Sequence, residues 1–307
     1  MKRNRPKSKY IGISAALLAA FLIPAFVKSP YWLHVFITIW IYIIVTSSLR
    51  FTITMGEWSF AHVPLMGMGA YTSALFVKSL GLSFWSALPL AVLTTAAISI
   101  LIYLPCLSTT GTFFFFSSFA FGEVMRLCWV KFQNPFGGPM GLFDIPYPDS
   151  LQLPILPAIK FGPLSKTPFY YMTLLFMLIS LLLLYMLERS RLGRIADAIR
   201  ESNLLSQFVG IRVNGYKMVI LAIGTAFAAL GGSLYAHYLT LIQPDDFYWG
   251  LGVYIIIYLV VGGTQRFEGP IAGVLLFVLL RELLRPIVMY VPLVYGFILA
   301  ATLAFLP

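Results

Sequence analysis

Among the ionisable side chains of this sequence, Glu57, His62, Glu123 and Arg126 stand in or beside long apolar runs, where chemistry is most constrained. An ionisable group at membrane depth must face protein or water, so it marks an interior contact or the wall of a pathway. Glu57, His62 and Glu123 have the side-chain types of a proton relay. Glu123 and Arg126 are three residues apart, so on a helix they share a face and can neutralise one another. Paired charges cost far less to bury than single ones, so a structural ion pair or a snorkelling arginine is preferred here over a substrate contact. Other chemistry lacks its residues. No GxxxxGK[ST] phosphate loop occurs, so the chain has no evident means of hydrolysing ATP. His34, His62 and His237 are far apart with no HExxH motif or Cys/His companion, and no GxSxG nucleophile elbow is present. Cys106 and Cys128 lie in apolar stretches without metal spacing, which assigns them to packing. The chain is therefore expected not to be an enzyme and to hold neither metal nor cofactor of its own.

Two longer constellations need helices to position them. In Gly56–Ala74, the small residues Gly67, Ala70 and Ala74 recur at helical spacing and make one face smooth enough for close helix contact. Packing is the plainest reading of these glycines, while Glu57 and His62 are read together as functional candidates. Glu57, Ser59, His62, Gly67, Gly69 and Tyr71, with Gly262 and Gly263 farther on, form the candidate translocation path. The second constellation is the polar segment 188–217. Ile195, Ile199, Leu204, Leu205, Phe208 and Val209 follow one amphipathic helical pattern that stops at Gly210, a C-cap residue. That stretch is too short and polar to span a membrane, and its apolar stripe needs either headgroups or a docking partner.

Of the 307 residues, 60% are hydrophobic and 10% charged, which a soluble domain of this length would not show, because its surface must face water. Apolar runs at about 11–27, 31–49, 60–77, 82–105, 112–131, 168–187, 218–241, 250–262, 270–284 and 287–306 predict an all-α, polytopic helical bundle. The runs 250–262 and 270–284 are short and interrupted by Gly262, Gly263, Gly269 and Pro270, which is the pattern of broken or re-entrant helices and reduces the count to about 8–10 spans. The net charge of +10 does not indicate nucleic acid, because the basic residues cluster beside spans. Lys2, Arg3, Arg5, Lys7 and Lys9 open the chain, and Arg189, Arg191, Arg194, Arg200, Arg212 and Lys217 lie in the 188–217 segment. By the positive-inside rule both segments face the cytoplasm, and strict alternation puts them on one side independently. The division that follows is a basic cytoplasmic N-terminus at 1–10 and one transmembrane domain at 11–307. Within it, a Pro- and Gly-rich extracytoplasmic loop spans 132–167 and a cytoplasmic loop spans 188–217.

Gly193-Arg194, Ala198-Ile199-Arg200-Glu201, Val209-Gly210-Ile211 and Tyr216-Lys217 resemble the cytoplasmic loop of LivM-type branched-chain amino acid ABC permeases. The resemblance continues through Leu230-Gly231-Gly232, Pro244, Phe247, Gly262-Gly263 and Gly269-Pro270, and in the N-terminal half through Ser59, His62, Gly67, Gly69-Ala70-Tyr71-Thr72, Glu123 and Arg126. Matches thus cover roughly 55–280. The resemblance implies a type II-like ABC importer permease in a bacterial-type inner membrane, multi-pass and with its N-terminus inside. It would work with a LivH-like second permease, two cytoplasmic ATPases that carry ATP and Mg, and an extracytoplasmic binding protein. It also implies that 194–210 couples to an ATPase, with Arg194, Ala198, Arg200, Glu201, Phe208 and Gly210 as coupling residues. Departures at Ala61, Ser48-Leu49-Arg50, Thr54-Met55, Leu204 and Gln265 leave the cargo open among branched-chain amino acids, other small amino acids, amides and urea. A stand-alone secondary transporter or channel is the alternative.

Overall fold

A helix that is apolar on every side belongs at the centre of a bundle, because it has no face suited to water. Helix α1 (Pro30–Ile53) is such a helix: in the computed structural model every residue from Ile39 to Thr52 is buried. The structure describes residues 18–27, 29–150, 161–162 and 165–305, so the basic segment 1–10 and residues 151–160 and 163–164 of the 132–167 loop lie outside the described residues. Around α1 stand α2 (His62–Leu80), α3 (Phe84–Cys106), α4 (Thr112–Lys131), α5 (Thr167–Arg189), the short α6 (Arg191–Glu201) and α7 (Asn203–Phe208), α8 (Val213–Leu239), α9 (Trp249–Gly262), α10 (Gly269–Leu283) and α11 (Val291–Phe305). No strand occurs among the described residues beyond the isolated bridges Leu142–Ile242 and Gly162–Ser165.

Among the described residues, six stretches are long and apolar enough to cross a membrane: Pro30–Ile53, Phe84–Cys106, Thr112–Lys131, Thr167–Arg189, Val213–Leu239 and Pro244–Gly262. The others fall short for different reasons. Helix α2 is diluted by His62, Pro64 and its glycines, and it packs within the bundle instead of facing outward. Helix α10, with 15 residues, is only about 23 Å long at 1.5 Å per residue, and α9, with 14, reaches spanning length only together with the Pro244–Phe247 turn before it. They fold back on each other as a hairpin, and any Cβ on Gly262, Gly269 or Gly273 would clash with facing backbone. The two short Gly/Pro-interrupted runs are therefore one tightly packed unit.

Helix α8 organises the bundle by touching α1, α2 and α3. Its glycines face backbone or branched side chains: Gly224 meets Thr52, Gly231 meets Val45, and Gly232 meets the Met66 carbonyl, while Gly69 of α2 meets Ala229 in return. Contacts of this closeness allow dispersion to hold helices together where lipid supplies no hydrophobic drive between them.

The polar connections divide between the two ends of the bundle. At one end the tip of α1, the 54–61 loop, the 107–111 turn, the start of α8 and the 263–268 turn meet α6. At the other, Lys78 Nζ donates to Phe143 O at 2.7 Å, Asp149 accepts from Phe84 N at 3.0 Å, and Leu142 pairs with Ile242. The 142–149 stretch and the 188–217 segment are thus separated by the length of α8, about 40 Å for 27 residues. Gly232→Ala is expected to force α8 from α2 at an overpacking cost of about 1–3 kcal/mol, read as a lower thermal unfolding midpoint in detergent. Gly215→Ala, whose added carbon would come no nearer than 3.9 Å to Arg212 Cβ, is expected not to lower it.

Candidate functional site

Glu57 and His62 have separate partners. The 54–61 loop turns at Gly56, where φ is +90° and glycine alone is unstrained, and it presents Glu57 inward. One Glu57 carboxylate oxygen accepts from Lys217 Nζ at 2.7 Å and the other from Gly111 N at 2.8 Å, with both charged side chains nearly inaccessible. His62 instead contacts Ser48 Oγ through Nε2 at 2.8 Å. Ser59 Oγ lies 2.7 Å from the Tyr103 hydroxyl. Helix α2 starts at His62 and carries the ring toward α1, away from the loop that holds Glu57.

Most of the other path candidates are packed. Gly67 leaves room for Phe247 and Trp129, whose ring atoms would lie 2.7 Å from an added Cβ. Gly69 meets Ala229, and Tyr71 is fully buried, stacked on Trp129 with centroids 4.7 Å apart. Gly262 and Gly263 form the α9–α10 turn. In this conformation Gly67, Gly69, Tyr71 and Gly262 serve as contact surface between helices, whereas Gly263 has open space beside it.

Glu123 and Arg126 do pair, with Arg126 Nε 2.9 Å from Glu123 Oε1, and Arg126 Nη1 also reaches Asp245 Oδ1 at 3.1 Å. Asp245, 82% exposed, comes from the turn before α9 and was not among the sequence candidates. Its signal was the acidic pair Asp245-Asp246 directly after Pro244, at the head of an apolar run. This cluster sits on α4, the span least buried by its own chain, whose outer face carries Phe113, Phe116, Phe121, Val124 and Leu127. A face that bears an exposed carboxylate must meet water or protein and not acyl chains.

A polar cleft of about 460 Å³ opens at the other end, between Arg50, Thr54, Gly56, Trp58, Glu188, Asp197, Arg200, Thr264 and Gln265. Arg50 anchors it: the guanidinium pairs with Glu188, donates through Nε to Thr264 O at 3.0 Å and lies 5.6 Å from the Phe267 ring centroid. One side chain thus ties α1 and α5 to the α9–α10 turn. Sequence reading counted Glu188 among the loop charges but could not give it a partner 138 residues away.

The coupling candidates divide. The single amphipathic helix expected from Ile195 to Val209 is two helices, because Ser202 is extended (φ −161°, ψ 114°) and its side chain caps α7 by accepting from Leu205 N at 3.2 Å. The break rotates the apolar stripe. Gly193, Ala196 and Ile199 of α6 are buried, and Arg200 packs over Gly56, whereas Leu204, Leu205, Phe208 and Val209 are exposed. Arg194, Glu201 and Gly210 are exposed, and Ala198 is half-buried.

A family model described as branched-chain amino acid transport system / permease component matches residues 31–306. This chain belongs to that family. It is similar to the high-affinity branched-chain amino acid transport system permease protein LivM of Salmonella typhimurium (strain LT2) and of Escherichia coli (strain K12), each 30% identical over 244 residues, 75% of this chain. Those residues cover 57% of each relative, so the chain spans little more than half the length of the curated relatives it matches. No solved structure matches it. A multi-pass membrane permease accounts for the apolar helices and for the charged contacts confined to their ends and interfaces. In this chain, Arg50→Met is expected to leave Glu188 unpaired and Thr264 O without its donor. A loss of about 2 kcal/mol should follow in detergent unfolding, with faster hydrogen exchange confined to the 263–268 turn.

Proposed function

We propose that this chain is a permease subunit of an ATP-driven importer and that, with a second permease subunit, it takes up branched-chain or related small amino acids. The observation that carries the reading is the apolar patch on α7. Phe208 is 79% and Val209 82% exposed, with Leu204 and Leu205 beside them, in a segment otherwise rich in arginine and glutamate. The apolar side of α6 is already consumed by the bundle, so the α7 patch is left for another molecule. A short helix entering a groove is a common recognition mode, and the resemblance supplies the partner class: a cytoplasmic ATPase that binds ATP and Mg. On this reading the 188–217 end is cytoplasmic and the N-terminus lies on the same side.

The α4 face would meet the second permease. Its Glu123–Arg126–Asp245 cluster lies toward the helix end remote from α7, with Arg126 about 8 Å and Glu123 about 12 Å from Lys131 at 1.5 Å per residue, where a zwitterionic amino acid released by an extracytoplasmic binding protein would enter. The packed state of Gly67, Gly69 and Tyr71 would then be one of two arrangements, and ATP-driven movement would populate the other.

The rival reading, a stand-alone proton-coupled transporter, needs titratable groups free to exchange protons. Glu57 is held by Lys217 and Glu123 by Arg126, which weighs against a relay. Co-purification and transport test the proposal together. Phe208→Asp is expected to insert normally while weakening association with the ATPase by roughly 30-fold, the effect of losing a central hot spot of about 2 kcal/mol. ATP-dependent uptake should fall with it. Parental uptake in that variant, or uptake by the parent that persists with an inactive ATPase, would sink the reading.

A further inference from the structure

The 54–61 loop contacts both the segment proposed to dock an ATPase and α4, the helix proposed to meet the second permease, and its fastenings are specific. On the docking side, Gly56 lies under Arg200 of α6, so close that an added Cβ would stand 3.2 Å from Arg200 Cγ. Glu57 holds Lys217, which lies in the first turns of α8, a few residues after α7 ends. On the α4 side, the second Glu57 oxygen accepts from Gly111 N, the N-cap residue of that helix, at 2.8 Å. Phe60 N donates to Ser118 Oγ at 3.0 Å, and Ala61 Cα would stand 3.4 Å from a Cβ on Gly122, with Pro64 at the start of α2 beside it. The loop is therefore fixed to α4 at Gly111, Ser118 and Gly122, along more than half of the helix.

We propose that the buried Glu57–Lys217 pair is the joint through which movement of the 188–217 segment reaches α4, so that Glu57 and Lys217 are positioning residues for coupled transport. The inference rests on the importer reading above. A buried ion pair gives little net stability over a well-packed apolar pair. What this one supplies is direction. Lys217 has three donors but one acidic partner here, and Glu57 divides its two oxygens between α8 and α4. A shift of the α8 start must then carry the loop, and with it the α4 N-cap, or else separate two charges that have no water to receive them.

The experiment uses the complete importer, reconstituted with its partner permease, ATPases and binding protein in liposomes, with leucine uptake and ATP hydrolysis measured on the same preparation. Lys217→Arg keeps the pair and is expected to retain the parental number of leucines imported per ATP. The neutral double variant Glu57→Gln with Lys217→Met leaves no buried charge and keeps an acceptor for Gly111 N. It is expected to assemble and to hydrolyse ATP near the parental rate, while leucine imported per ATP falls roughly tenfold, within the range usual for coupling between sites. An unchanged import-to-hydrolysis ratio in the double variant would overturn the joint. So would failure of that variant to assemble, because the pair would then be needed for folding alone. If the parental complex shows no ATP-dependent uptake of any small amino acid, the importer reading fails, and this inference with it.

Discussion

Backbone contact between α8 and its neighbours α1 and α2 is the interaction on which the rest of this structure depends. Hydrocarbon gives two apolar helices little reason to associate, so they must touch closely enough for dispersion to hold them. Gly224, Gly231 and Gly232 allow that approach on α8, and Gly69 allows it on α2. Once the three helices are packed, the tip of α1, the 54–61 loop and the start of α8 are forced to one end. Their charged side chains then lie within reach of α5, α6 and the α9–α10 turn.

That geometry explains why the ion pairs are distributed as they are. Arg50 meets Glu188, and Glu57 meets Lys217, both across more than a hundred residues of sequence, and both at the end shared with α6 and α7. Glu123, Arg126 and Asp245 gather toward the other end. In a low-dielectric setting a charge without a partner is far more costly than in water, so each pair fixes the relative placement of the elements that carry it. The result is a bundle whose middle is held by small-residue packing and whose two ends are tied by electrostatics.

The α6–α7 segment shows how one residue changes a surface. In a continuous helix, at about 100° per residue, Ile195 and Ile199 would lie close together while Leu204 and Phe208 fell toward the opposite side, so the six apolar residues could not all have served one surface. The extended backbone at Ser202 separates them, sending Ile199 inward and Phe208 outward. A serine that accepts from the backbone three residues on gains a cap at the expense of helical continuity, and periodicity counts do not register that competition.

Composition and apolar run length were enough, without any tertiary information, to identify a polytopic helical membrane protein. Lipid imposes that choice on every residue of a span, so it is written redundantly along the chain. The i,i+3 pairing of Glu123 with Arg126 was legible for the same reason, because one helical turn decides it. The family was legible from the order and spacing of its glycines and charged residues. Only the folded chain decided which distant groups meet: that Glu57 belongs to Lys217 and Gly111 rather than to His62, that Arg50 holds Glu188 and the 263–268 turn, and that Asp245 completes the α4 cluster. Those contacts depend on where small residues let helices touch, and sequence spacing carries no record of that distance.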